Sequence, residues 1–209
     1  MSFGSMRPIR QRQSASMRDV LLLVDLLDDF THEHGQQLLR SLAERHQRLT
    51  SVIESARRSG IPIVYANDNK GHWDGDVHEL VRRALAGPGG DLIRELVPRA
   101  GEGFVTKPRY SAFDHTPLEL LLEELGCERL LIAGMTTEGC VAQSAIAARE
   151  LGLKVSVIAD ACATVDSSDE ETALRYLVDV VGVRLAKEEG LVNCTGSGGS
   201  SVAAGDSGS

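Results

Sequence analysis

The chain is short of several features that would each point to a function class. Only 4% of its 209 residues are aromatic, with a single Trp, and no apolar run approaches the ~20 residues that cross a bilayer. Basic residues are in deficit: 22 Lys and Arg stand against 30 Asp and Glu, a formal net charge of −8. Nucleic-acid binders usually carry a basic face, so the composition argues against nucleic acid as a partner, and the lack of a span argues against a membrane. Cysteine is sparse and scattered. Cys127, Cys140, Cys162 and Cys194 form no C-x-x-C pair, so neither a zinc knuckle nor a disulfide framework is expected, and a reducing cytoplasm is the simplest compartment. Cofactor signatures are missing as well. "GPGG" is not followed by Gly-Lys-Ser/Thr, "GMTTEG" lacks a dinucleotide fingerprint, and no Ser occupies a G-x-S-x-G elbow. The expectation is a small-molecule substrate and no cofactor.

The two ends read differently from the middle. "MSFGSMRPIRQRQSASMR" is basic and Ser-rich without an apolar stretch, which makes residues 1–18 a flexible arm rather than a secretory signal. Residues 193–209, "NCTGSGGSSVAAGDSGS", form a Gly/Ser-rich tail expected to be disordered, with Cys194 at its border open to oxidation. One domain is expected over residues 19–192.

Inside that domain, helical and extended patterns alternate. "DVLLLVDLL" (19–27) is a near-continuous apolar run, as in a strand buried on both faces. Residues 36–60 carry Leu38, Leu42, Leu49, Val52, Ile53 and Ala56 at helical spacing and stop on Gly60. Further strands are read at 61–67, 103–107, 129–135, 154–161 and 182–186, and helices at 77–85, 91–96, 116–126, 138–152 and 168–180. Thr116 with Pro117 reads as the start of one helix, and Ser168 with Glu171 as a capping box for another. The alternation predicts an α/β, three-layer Rossmann-like fold, a mostly parallel six-stranded sheet with helices on both faces. Cys127 and Cys162 fall among its core positions.

That architecture directs attention to the carboxyl ends of the strands, where open parallel sheets bind ligands. Asp25 ends the first strand pattern, Lys107 the third, and Cys140 follows the fourth at a helix start. A helix N-terminus and a nearby ammonium both favour thiolate, so the thiol of Cys140 is expected to be lowered. Asp25 could take the thiol proton and return it to a leaving amine, and N–H groups of "MTTEGC" could face an oxyanion. A Cys alone is more often packing than chemistry, and a lone Lys is usually solvated; the reading rests on the three together. Phe30, Trp73, Tyr110 and Phe113 lie in loops beside these positions and are expected to wall a substrate pocket, with closure of the core edge as the plain alternative. His32 and His34 follow the first strand, with surface placement favoured over the entrance.

The stretches "LLLVDLLDDF", "VTKPRYSAF" and "GMTTEGCVAQSA" resemble the isochorismatase-like cysteine hydrolases, which include nicotinamidases and N-carbamoylsarcosine amidase. The likeness covers residues 20–186, with three motifs in the family's order. It implies an Asp–Lys–Cys triad of Asp25 (acid/base), Lys107 and Cys140 (nucleophile). It also implies a cis peptide at Met135–Thr136, an oxyanion hole from the backbone N–H groups of Thr136 and Cys140, and a homo-oligomer, dimer or tetramer. Nicotinamidases hold a metal through an Asp-x-His pair and a further His. Here "NDNKGHWDGD" has Asp68 and His72 without that spacing, so no metal is expected, though Asp68, His72 and His78 keep a metal-assisted, nicotinamidase-like amidase as an alternative. Leu27 stands where the family commonly has Gln. Isochorismate hydrolases proper need no thiolate, so Cys140 favours an amide-type substrate. The implied function is a cysteine hydrolase cleaving a C–N bond through a thioester. The rivals are a non-catalytic binding domain and a thiol-redox protein.

Overall fold

The computed structural model describes residues 17–71 and 76–187. Residues 1–16 and 188–209, with Cys194, and His72 and Trp73 lie outside the described residues. In chain order the elements are β1 (Asp19–Val24), α1 (Gly35–Ser59), β2 (Ile63–Asp68), α2 (Val77–Ala86), α3 (Gly90–Ile93), β3 (Gly103–Lys107), α4 (Leu118–Glu124), β4 (Arg129–Met135), α5 (Ala142–Glu150), β5 (Lys154–Ala163), α6 (Ser167–Tyr176) and β6 (Arg184–Ala186). The strands form a six-stranded sheet in the order β3-β2-β1-β4-β5-β6, and every neighbouring pair is parallel. The fold is a three-layer α/β sandwich. Strand order reverses between β1 and β4, and such a switch point opens a crevice at the strands' carboxyl ends. Among the described residues no helix is long and apolar enough to cross a membrane.

The core follows from the apolar runs. Leu21, Leu22, Leu23 and Val24 of the central strand are all 0% exposed, as a strand covered on both faces requires. The long helix α1 turns Leu38, Leu42, Leu49, Val52 and Ile53 inward, and Gly60 ends it in a left-handed conformation (φ 66°). Cys162 is fully buried in the core, while Cys127 is half-buried at its edge.

Boundaries differ from the sequence expectation where local chemistry overrides periodicity. The first strand stops at Val24, three residues before its apolar run does, because Asp25 takes a left-handed backbone (φ 53°). Leu26 and Leu27 stay buried, but in a loop. Asp166, not Ser168, caps α6, its carboxylate accepting the N–H groups of Ser168 and Asp169 at 2.8 and 3.2 Å. At α4, Pro117 occupies the cap position rather than the first turn, and Thr116 Oγ1 accepts from the N–H of Leu118. Strand β5 runs to Ala163 through an irregularity, where residues 132–134 of β4 face 157–162 of β5.

Candidate functional site

Asp25 is placed by an abrupt exit from the sheet. Its N–H donates to the Ala66 carbonyl at 2.8 Å, the last rung toward β2, and its positive φ then turns the chain away. Asp is among the few non-glycine residues that tolerate this conformation. Next door, Gly134 of β4 (φ 131°) lies so close to β1 that a Cβ there would sit 2.1 Å from the Val24 carbonyl oxygen. The Asp25 carboxylate receives the Asp68 N–H on Oδ1 and the Lys107 ammonium on Oδ2, both at 2.7 Å.

Lys107 ends β3, two strands away from β1 and in register with Asp68. Strands β3 and β1 lie about 10 Å apart at the usual spacing, so the Lys107 and Asp25 side chains close that gap together at the end of β2. The Lys107 side chain is 1% exposed, and its Nζ contacts Asp25 Oδ2 at 2.7 Å, the Arg109 carbonyl at 3.0 Å and Cys140 Sγ at 3.3 Å. Three acceptors match the three protons of an ammonium.

Cys140 sits in the turn Thr137–Val141, which joins β4 to α5. The turn is wide: the Val141 N–H reaches back five residues to the Thr136 carbonyl at 3.1 Å. Met135–Thr136 is a cis peptide, as the resemblance implied. Thr136 and Cys140, the expected oxyanion donors, lie at the start and in the body of this turn. Two acids hold it, half-buried Glu138 of the turn itself and buried Glu170 of α6. Glu138 accepts from Thr164 Oγ1 at 2.7 Å and from the Val165 N–H at 3.1 Å. Thr137, fully buried, donates to Glu170 at 2.9 Å, and Glu170 is paired with Arg45 of α1 at 2.6 Å. Glu170→Gln should therefore loosen the turn and lower stability by about 1.5–3 kcal/mol, the range for hydrogen bonds to charged groups. Urea unfolding reads this directly, and an unchanged midpoint would show that the Arg45–Glu170–Thr137 chain does not hold the turn.

The electrostatics correct one expectation. The thiol of Cys140 is not lowered but pushed up to about 12, first by burial and then by the Asp25 carboxylate, with Lys107 opposing both. Helix-terminus and ammonium arguments leave out burial, the larger cause, and the Asp25 carboxylate. Burial also raises Asp25, against the pull of Lys107 and Cys140. For Lys107, burial works downward, but the Asp25 carboxylate and Cys140 prevail and raise it. The resting site is a protonated thiol and an ammonium around one acid. Alkylation of Cys140 by iodoacetamide should consequently rise about tenfold per pH unit from neutral pH to about pH 10 without levelling, because only thiolate reacts. Mass spectrometry of the Cys140 peptide gives the rate; a plateau near the ordinary thiol range would contradict this picture.

The aromatic residues divide. Phe30 is 2% exposed and packs against the Gly89 backbone and Leu39, so it closes the core edge. Phe113 is half-buried against the core, and Tyr110 is 64% exposed. His32 is exposed, with Nε2 3.4 Å from Asp28 Oδ1, and His34 is exposed at the cap of α1. Sequence reasoning missed Asn67, Asp28 and Lys70. Buried Asp28 binds Lys70 Nζ at 2.7 Å, in the loop that carries Asp25. Asp68 accepts the Lys70 N–H at 2.6 Å, so an ammonium-bearing residue follows Asp68 where the nicotinamidase pattern calls for His. Among the described residues no group of three His, Cys, Asp or Glu could hold a metal ion, and the candidate ligand His72 lies outside them. The signal for Asn67 was the run "NDN" at the end of β2, polar where an apolar strand continues.

Known proteins share the sequence pattern and the fold. The isochorismatase domain family matches residues 19–189. An uncharacterised isochorismatase family protein of Bacillus subtilis, YaaI, is 28% identical over 172 residues, covering 82% of this chain and 95% of its own. A probable inactive nicotinamidase of Arabidopsis thaliana is 30% identical over 156 residues, 68% of this chain and 79% of its own. Among solved structures, N-carbamoylsarcosine amidase from Thermoplasma acidophilum superposes with a TM-score of 0.63 at 27% identity, over 83% of this chain and 98% of its own. The family model spans nearly all of the described domain and the fold is shared with solved relatives, so the protein belongs to the isochorismatase family of hydrolases.

Proposed function

We propose that this protein is a cysteine hydrolase that cleaves the C–N bond of a small amide through a thioester. The observation that carries the reading is the position of Lys107 Nζ, in contact with both the Asp25 carboxylate and Cys140 Sγ. One ammonium in contact with both an acid and a thiol has little structural purpose, since a buried charge is costly unless fully paired.

In the mechanism, Cys140 Sγ attacks the carbonyl carbon while the Asp25 carboxylate accepts the thiol proton. Because the thiol is held high, proton transfer accompanies attack rather than preceding it. The negative charge that forms on the carbonyl oxygen turns to the N–H groups of Thr136 and Cys140. As the tetrahedral adduct collapses, the C–N bond breaks and Asp25 returns its proton to the departing nitrogen, leaving an acyl thioester and a free carboxylate. Water then attacks the thioester with Asp25 again as base, and the proton goes back to sulfur as the acid product leaves. Lys107 keeps Asp25 ionised between steps.

The family resemblance, the amidase named among the solved structures and the retained cysteine support C–N cleavage. A panel of small neutral amides assayed for ammonia or amine release tests it: release that depends on the protein and saturates with one amide is the expected result. No release with any amide, together with binding detectable by calorimetry, would favour the non-catalytic binding domain, a reading that the probable inactive plant relative brings into view.

A further inference from the structure

The turn that carries Asp25 leaves two backbone groups in need of partners. The β1–β2 ladder ends at Val24 opposite Ala66, and the Asp25 N–H makes the last bond to it. Beyond that point Leu27 is 2% exposed, so its N–H and carbonyl are removed from both sheet and water. One side chain takes both. Asn67 Oδ1 accepts the Leu27 N–H at 2.8 Å, and Asn67 Nδ2 donates to the Leu27 carbonyl at 3.2 Å. The same Nδ2 lies 3.3 Å from the Asp68 carbonyl, and the Asp68 N–H donates to Asp25 Oδ1. Asn67 is itself 2% exposed. Its amide imitates the next rung of a parallel ladder and holds the backbone on both sides of the carboxylate.

We infer that Asn67 is a positioning residue for Asp25: its amide closes the turn of residues 25–27 onto the end of β2 and so keeps the carboxylate between Lys107 and Cys140. Every hydrogen bond recorded for the Asn67 side chain goes to backbone of these two segments, so it acts through Asp25. The inference rests on the reading of Asp25 as the proton carrier.

The test uses the full chain, with iodoacetamide as probe and the Cys140 peptide as readout, from about pH 6 to pH 10. The charged groups facing Cys140 are Asp25 and Lys107, and Asp25 in turn faces Lys107 and Lys70. Removing the acid in Asp25→Asn should move the alkylation profile to lower pH, because the carboxylate is what opposes thiolate there. Asn67→Ala, by freeing the turn, should move it in the same direction, with alkylation below the plateau rising about tenfold per pH unit of displacement. A residue that only supported the fold would lower the melting temperature and leave the profile of the folded protein in place. An Asn67→Ala profile that coincides with wild type while Asp25→Asn shifts would overturn the positioning role and leave the proposed function standing. If neither variant shifts, the coupling of Asp25 to Cys140 falls, and this inference with it. Asn67→Gln keeps both amide functions one methylene further out. Should the alanine protein not fold, displacement of the glutamine profile supports the inference, and coincidence with wild type overturns it.

Discussion

Cys140→Ala is expected to end turnover, with a loss on the order of 10⁵-fold or more, as when other enzymes lose a covalent nucleophile. The substitution removes one sulfur from a half-buried position, and Lys107 keeps its bonds to Asp25 and to the Arg109 carbonyl. The fold and the charge pair should therefore survive, and the loss reads chemistry alone. Mass spectrometry supplies the second half of the experiment. Wild-type protein quenched during turnover should gain the mass of the acyl group on the Cys140 peptide, and the Ala variant should not. Normal hydrolysis by the Ala variant would sink the thioester mechanism outright. Loss of hydrolysis without any trappable adduct would point to a single displacement by water with Cys140 only lining the site.

The same variant separates the readings that the cysteines alone allow. A redox protein needs a second thiol within reach of Cys140. Cys162 is fully buried on β5 with its sulfur turned to the Ile158 carbonyl, and Cys127 lies before the amino end of β4, at the opposite end of the strands from the site. Neither is bonded to Cys140, so among the described cysteines no resolving partner is in place.

Much of this arrangement was legible in the sequence, and what was not has physical causes. Apolar runs and helical spacing located every strand and helix because the sheet is buried on both faces, where composition and position agree. The same signal failed at Asp25. Leu26 and Leu27 continue the apolar run of β1, yet they are buried by loop packing, and only the backbone reveals that the strand has ended. The three site residues could be found because strand ends are predictable places. Their electrostatics could not, since the state of the Cys140 thiol depends on which neighbour lies nearest and how much water is excluded. The pocket walls were least legible. Phe30 faces the core because Gly89 and Leu39 receive it, and that packing depends on loop paths a linear pattern does not encode. Asn67 showed in the sequence only as a polar residue at the end of β2; its importance comes from the backbone groups it meets.

Lys107→Met should be the most damaging change to the charge pair, and pH should expose why. With the ammonium gone, a buried Asp25 carboxylate keeps only the Asp68 N–H and its contact with Cys140. Breaking a buried pair by removing one partner costs about 3–5 kcal/mol at neutral pH. Asp25 already titrates above its ordinary range because burial disfavours its charge. A raised acid favours folding fully below its unfolded pKa, about 3.9, and that contribution is lost as pH rises through the folded value. Removing Lys107 lifts the folded value further, so the loss grows and extends to higher pH. The contribution of Lys107 itself is lost in the same direction, but at much higher pH. Its pKa is raised in the folded protein, so its contribution is intact up to about pH 10 and lost only above. Between these limits, the destabilisation of Lys107→Met relative to wild type should be small near pH 4 and largest from pH 7 to 9. Activity should fall by roughly 10² to 10⁴, the usual worth of a general base, because a protonated Asp25 cannot take the thiol proton. Lys107→Arg should not rescue either property, since a planar guanidinium cannot place its donors on three acceptors in a pocket built for a 1% exposed ammonium. Urea unfolding at several pH values decides the matter: a destabilisation independent of pH would mean that Lys107 holds the site by packing, and that Asp25 is not the group it keeps charged.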